Sequence, residues 1–223
     1  MSSSPQRLSS EDRRRQIMQV ATELFARQGY NGTTTRQIAA EAQVNEAIIF
    51  RLFESKEELY WAILERKSES RAYRQTLVRD LNGPDDELTK FSAIAEEILR
   101  RREEDPDHTR LLLFSALENH KLSGKFFETY AAEYYETLAE YIRVRIKQGG
   151  FKPVDPMIAA RTFVGMVTYH SLIRVLFGRI AHPELDCGEV GRQVASLWLG
   201  GIVASGKGIE TSKKRSLVGF SVS

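Results

Sequence analysis

Residues 33–53 read TTTRQIAAEAQVNEAIIFRLF, and this stretch decides the fold. Thr34 followed three residues later by Gln37 has the spacing of a capping box, in which each side chain satisfies a free backbone N–H of the other. A helix is expected from Thr35 to about Ala42, with Ile38, Ala39 and Ala42 as its small apolar face. Asn45 is a good N-cap for a second short helix over 46–52. Gln43 and Val44 are left for a tight turn. Ala39, Ala40 and Ala42 are small enough to let the two helices approach, and Val44 can plug the corner. Two short helices across a tight turn form a helix-turn-helix. The first helix braces the second, and the second fits the major groove of duplex DNA, where each base pair presents a distinct donor and acceptor pattern.

Upstream, Ile17, Val20, Ala21, Leu24 and Phe25 recur at helical spacing, so a helix is expected over about 10–28, ended by Gly29. Downstream, Ser55 and Glu58 form another capping pair and open a long helix reaching about residue 80. Asn82-Gly83-Pro84-Asp85 is a breaker. Five more helices follow, over about 86–103, 106–118, 123–148, 155–177 and 186–205, the third ended by Gly149-Gly150. No stretch alternates with period 2, so the chain reads as all-α. The expected division is a flexible segment 1–10, a three-helix helix-turn-helix DNA-binding domain 11–60, a helical domain 61–205 and a disordered tail 206–223. Leu217, Val218 and Phe220 are apolar for such a tail.

The 223 residues suffice for a sizeable core, with 42% hydrophobic and 28% charged residues. The net charge of +2 argues neither for nor against nucleic acid, so any DNA-binding surface must come from local placement of charge. The single cysteine, Cys187, excludes an intramolecular disulfide framework and a Cys-rich zinc site. No apolar run approaches the roughly 18–20 residues needed to cross a bilayer, and residues 1–10 lack the apolar core of a secretory signal. A cytoplasmic protein with no membrane partner is expected. No nucleophile elbow, phosphate loop or metal-binding spacing is present, so neither an enzyme, nor a cofactor, nor a metal site is expected.

The motif set resembles the tetracycline-repressor (TetR) family. The matching residues are Ala21-Thr22-Glu23-Leu24-Phe25, Gly29-Tyr30, Thr33-Thr34, Ile38-Ala39, Val44, Ile49-Phe50, Phe53 and Ser55-Lys56-Glu57-Glu58-Leu59. The resemblance covers about 15–60. It implies that Thr34, Thr35 and Arg36 face phosphate at a helix N-terminus, where free N–H groups attract anions. It implies that Asn45, Glu46, Ala47 and Ile48 reach base edges, that Phe50 and Arg51 lie on the same surface, and that Lys56 contacts phosphate. Arg13, Arg14 and Arg15 either add backbone contacts or form a solvated charged face. Three departures stand out: Gln43 where glycine is usual, Phe50 for tyrosine and Leu52 for histidine. Gln43 must accept a strained conformation or alter the turn. The other two remove polar contacts, so a shallower fall of binding with salt than the family norm is expected.

For the C-terminal part the resemblance implies an effector-binding domain that dimerises through its last two long helices. Candidate interface residues are Phe163, Met166, Val167 and His170 on one helix and Val194, Leu197, Trp198 and Ile202 on the other. Gly165, Gly200 and Gly201 lower helix propensity, which close helix–helix contact would explain. Candidate pocket residues are Tyr73, Phe91, Phe114, His120, Tyr130, Tyr134, Tyr169 and His170, although aromatics at helical spacing are more often core. The expected function is a homodimeric repressor that binds a near-palindromic double-stranded operator and is released by a small-molecule effector. The alternative is an effector-independent, chromosome-associated helix-turn-helix protein. The expected lever between the two halves is the helix running from Ser55 to about residue 80.

Overall fold

The computed structural model describes residues 9–67, 70–118, 121–177 and 186–204. The described elements are the helices α1 (Ser10–Gln28), α2 (Thr35–Glu41), α3 (Glu46–Leu52), α4 (Lys56–Lys67), α5 (Ser70–Asn82), α6 (Glu87–Glu104), α7 (Pro106–Leu117), α8 (Lys121–Phe126), α9 (Ala132–Lys147), α10 (Pro156–Phe177) and α11 (Cys187–Ile202), with a π-helical turn, Phe127–Ala131, joining α8 to α9. The protein is all-α, and no strand occurs among the described residues; one antiparallel bridge pairs Phe151 with Val203. The tail 206–223 and the segment 1–8 lie outside the described residues.

The local rules that start these helices are simple. Aspartate side chains accept the free N–H groups at α6 (Asp86 from Thr89), α7 (Asp105 from His108), α10 (Asp155 from Ile158) and α11 (Asp186 from Glu189). Each such cap contributes about 0.5–2 kcal/mol. The long helix expected from Ser55 is described as α4 and α5, and its middle, residues 68–69, lies outside the described residues. One expected helix differs from what the periodicity suggests. The helix expected over 123–148 begins earlier, at Lys121, and carries the π-turn Phe127–Ala131.

Two cores organise the chain. The first gathers Ile17, Ala21 and Phe25 of α1, Ile38 of α2, Ile49 of α3, Phe53, and Leu59, Tyr60, Ile63 and Leu64 of α4, all essentially buried. It also takes Leu111 of α7 and Leu122 of α8. The DNA-binding unit expected to end at residue 60 therefore extends its packing to Leu64 and borrows side chains from the C-terminal helices. The Tyr60 hydroxyl donates to the Leu111 carbonyl at 2.7 Å, which fastens α4 to α7.

The second core centres on Phe91 of α6. Its ring meets Trp198 at 4.6 Å, Phe163 at 5.0 Å and Phe151 at 6.4 Å between centroids. The indole N–H of Trp198 donates to the Ala159 carbonyl, so its polar edge is satisfied inside the core. α11 packs along α6, and Gly191 makes this possible: a Cβ there would stand 2.9 Å from the Glu96 backbone nitrogen. This core also takes up part of the expected dimer residues. Phe163, Val167, Trp198 and Ile202 are buried within their own protomer. Met166, His170 and Val194 are half-buried, and only Leu197 of that set is exposed. The stripes read from the sequence are internal core because a helix in a layered bundle buries its widest apolar face against its own chain.

Candidate nucleic-acid interface

α2 and α3 form the helix-turn-helix. The Thr34 hydroxyl oxygen accepts the Gln37 N–H at 3.2 Å, and the Gln37 side-chain oxygen accepts the Thr34 N–H at 2.9 Å, a reciprocal cap. Asn45 caps α3 by accepting the Ala47 N–H at 2.9 Å. Gln43 in the turn has φ of 53°, the left-handed conformation that glycine adopts at little cost. Its side chain is exposed.

The outward face of α3 consists of Ala47, Phe50 and Arg51, with Asn45 at its start, all exposed. Their i, i+3, i+4 spacing puts them on one side of the helix. Phe50 is 50% exposed, a large apolar ring held in water. Ile49 is buried, and Ile48 is half-buried against the first core. Of the residues expected at base edges, Ile48 is therefore partly spent on packing. Arg36 on α2 is exposed and lies beyond the Thr34 cap.

Several expected contact residues serve to hold the reading head together. The Thr35 hydroxyl donates to the Glu46 carboxylate at 2.6 Å, tying the start of α2 to the start of α3. The Lys56 ammonium donates to the carbonyls of Tyr30 and Thr33, both at 2.8 Å, and sits 4.0 Å from the Tyr30 ring centre. Desolvation lowers its pKa. Lys56 thus staples the loop between α1 and α2, and its third N–H is left over from these two bonds for the phosphate contact that the resemblance implies. Of the three consecutive arginines, Arg14 donates to the Leu52 carbonyl and covers the Phe53 ring. Arg13 pairs with Gln16, and Arg15 with Asp12.

The sequence reading missed Glu118, the residue that closes α7. Its carboxylate accepts the backbone N–H of Tyr30 at 3.1 Å and that of Asn31 at 3.2 Å. Gly29 leaves room for this contact. Its φ is 76°, and a Cβ there would lie 2.3 Å from a Glu118 carboxylate oxygen. No local signal marks Glu118, because the partners are 87 or more positions apart. The head is thereby fixed to α7, in addition to α4.

α7 also lines a mainly apolar cavity of the C-terminal half, about 370 Å³, bounded by α5, α6, α7, α8, the π-turn, α9 and α10. Of the aromatic and histidine residues expected around a pocket, Tyr134 lines it. Phe91 belongs to the aromatic core, and Phe114 packs beside Gly29. Tyr169 is 66% exposed on the outside of α10, and half-buried His170 is absent from the cavity wall. His120 and the side chains of Tyr73 and Tyr130 lie outside the described residues. The Cys187 thiol is pushed up to about 11 by burial and by neighbouring Glu103, so it is a poor nucleophile at neutral pH.

The sequence profile described as bacterial regulatory proteins, tetR family, matches residues 17–63, and the profile described as AefR-like transcriptional repressor, C-terminal domain, matches residues 89–196. The chain is 30% identical over 161 residues to the nucleoid occlusion factor SlmA of Vibrio cholerae, covering 70% of this chain and 80% of that one. It is 29% identical over 195 residues to the HTH-type transcriptional regulator YhgD of Bacillus subtilis, covering 79% and 90%. A solved TetR-like transcriptional regulator from Rhodococcus superposes with a TM-score of 0.67 at 19% identity, over 87% of this chain and 98% of the other.

Proposed function

The chain belongs to the tetR family of bacterial regulatory proteins and is a DNA-binding transcriptional regulator, and we propose that it acts in the cytoplasm as a homodimeric repressor released by a small molecule held in the C-terminal cavity. The observation that carries the proposal is the exposed face of α3. Asn45, Ala47, Phe50 and Arg51 stand out from a braced, doubly capped helix pair. Arg51 supplies a charge for guanine or phosphate, and Ala47 and Phe50 supply apolar surface for thymine methyl groups. Arg36 and the N-terminus of α2 supply anion contacts. The domain division is a reading head over 11–60, whose packing runs on to Leu64, and an effector and dimerisation body over 61–205.

Dimerisation is supported by what α10 and α11 leave uncovered. Ile158, Tyr169 and Leu197 are 67%, 66% and 70% exposed. A Cβ at Gly165, Gly200 or Gly201 would meet nothing within 4 Å in the protomer. A second copy packed there explains both features, and it places two reading heads for two half-sites about 34–36 Å apart.

The SlmA relationship favours a second reading, a chromosome-associated protein with no effector. The test is a footprint on DNA flanking the gene, followed by screening for small molecules that release it. Protection of two half-sites one helical turn apart, lost on adding a ligand, supports the repressor. A footprint that no ligand disturbs supports the second reading. Absence of any discrete footprint overturns both.

A further inference from the structure

We propose that Glu46, the first residue of α3, reads cytosine, so that each half-site of the operator carries a C:G pair whose orientation this carboxylate selects. The inference rests on the reading of α3 as the helix that enters the major groove, and it concerns which base one of its side chains accepts.

Glu46 stands four residues before Phe50, so the two share a ridge on the outward side of α3. Its neighbours Asn45, Ala47, Phe50 and Arg51 are exposed, whereas Glu46 is half-buried. Its side chain is held by Thr35 at the start of α2, whose hydroxyl donates to Oε1 of Glu46 at 2.6 Å. A free glutamate loses rotamer entropy when a ligand fixes it. Here the tie to Thr35 fixes the side chain before DNA arrives. Oε2 takes no hydrogen bond, and no cation pairs with the carboxylate, among the described residues. One oxygen is therefore held in place with its acceptor capacity unspent, at the end of the helix that reaches base edges.

The base that such a group can take follows from donors and acceptors. An ionised carboxylate accepts and cannot donate. In the major groove guanine offers two acceptors, and thymine offers an acceptor and a methyl group. Adenine sets its N6 donor beside the N7 acceptor, which repels a carboxylate. Cytosine alone presents a donor, N4, with no acceptor beside it. The phosphates sharpen the choice. They lie within about one Debye length, roughly 8 Å at physiological salt, so their repulsion of the carboxylate is only partly screened. Where no N4–H is available to bond, the charge is a net cost. Glu46 thus acts against the other bases as well as for cytosine. Thr35 is a positioning residue for this contact, since its hydroxyl is engaged with Glu46.

The test is selection of duplexes from a random pool by the full chain and by Glu46→Gln, Thr35→Val and Arg51→Gln, each shown by its melting curve to fold. Affinity is then measured on the selected site with all four base pairs placed at each half-site position. The wild-type motif is expected to hold a C:G pair whose replacement weakens binding by about tenfold or more. Glu46→Gln should keep the rest of the motif and move that one position toward adenine, because a glutamine amide matches adenine N6 and N7. It should also bind random-sequence duplex more tightly than the wild type, because a charge repelled by phosphate is gone. Thr35→Val should lower the cytosine preference without moving it to another base. A glutamate that served only to tie the two helices would give a different pattern: all sites weakened in proportion, with the motif unchanged. That pattern, a wild-type motif without a C:G pair, or an unchanged cytosine preference in Glu46→Gln or Thr35→Val would overturn the proposal. If Arg51→Gln alters one position of the motif and Glu46→Gln alters none, α3 remains the reader and the assignment of Glu46 falls. Failure of the wild-type chain to select any motif overturns both.

Discussion

The reading head and the C-terminal body are both helical, yet they are stabilised differently. Most helix starts in the head are fixed by side-chain bonds, some local and some short staples: Thr34 with Gln37, Asn45 with Ala47, Thr35 with Glu46, Lys56 with Tyr30 and Thr33. The body is held by contacts between distant segments, with Phe91, Phe151, Phe163 and Trp198 coming from four separate parts of the chain. The head presents a rigid surface, and the body encloses a cavity. A rigid reader coupled to a body with an internal void is what a ligand-responsive switch needs, since filling a void displaces walls that packing otherwise fixes.

The largest effects should expose an asymmetry between the two. Phe25→Ala in the head and Phe91→Ala in the body each remove a fully buried ring, at a cost of about 3–5 kcal/mol. Because the head borrows Leu111 and Leu122 from the body, loss of the body removes part of the head's core. Calorimetry of Phe91→Ala should therefore show one lowered transition. Phe25→Ala should show the head melting first and the body persisting, with operator binding lost. Identical single transitions in both variants would mean that the two cores act as one.

The joint between them comes next. Glu118→Ala removes the charged acceptor for the Tyr30 and Asn31 N–H groups. Hydrogen bonds to charged groups are worth about 1.5–3 kcal/mol. The expected outcome is a loss of that size in chemical denaturation, with operator affinity reduced and cavity ligand affinity unchanged. Unaltered operator affinity would assign coupling to the α4 contacts alone.

The same contrast explains what could be read from the sequence. The helix-turn-helix, its caps and the all-α class were legible because each rests on residues three or four apart. The π-turn between α8 and α9 was not, since no residue pattern marks where one hydrogen-bonded ring gains a residue. On α10 and α11 half of the expected interface stripe packs inside its own protomer, because periodicity locates a buried face without saying whether its cover is the same chain or another. Glu118 was invisible for a related reason: its meaning lies in partners that the fold brings together. Even in the head, Lys56 and Glu46, expected on the DNA side, also bond to neighbouring groups of the head. A resemblance transfers location more safely than it transfers the atom a side chain touches.

A smaller effect tests whether the head's order is local. Thr34→Ala deletes one half of the reciprocal cap and should cost about 1 kcal/mol. Operator affinity should fall with it, since the same N-terminus is the proposed anion contact. The log–log salt slope should stay unchanged, because the hydroxyl carries no charge and neutralises no phosphate; a lowered slope would mean that loss of the cap also displaces a charged contact such as Arg36.

The smallest effect is expected at Gln43, where the head departs from its own rule of local consistency. At φ of 53° a residue with a Cβ is strained by roughly 1–2 kcal/mol. Glycine relieves that strain but has more unfolded-state freedom to lose, which offsets about 0.5–1 kcal/mol. Gln43→Gly should therefore stabilise the protein by about 0.5 kcal/mol, read as a rise in the denaturation midpoint at constant slope. The turn hydrogen bonds, Gln43 N–H to the Ala40 carbonyl and Val44 N–H to the Ala39 carbonyl, are backbone bonds and survive the change. Operator affinity should stay the same if the turn is merely strained. If Gln43→Gly stabilises the fold and weakens DNA binding, the exposed glutamine side chain is itself a DNA contact, and the strain is retained because the side chain is needed at that corner.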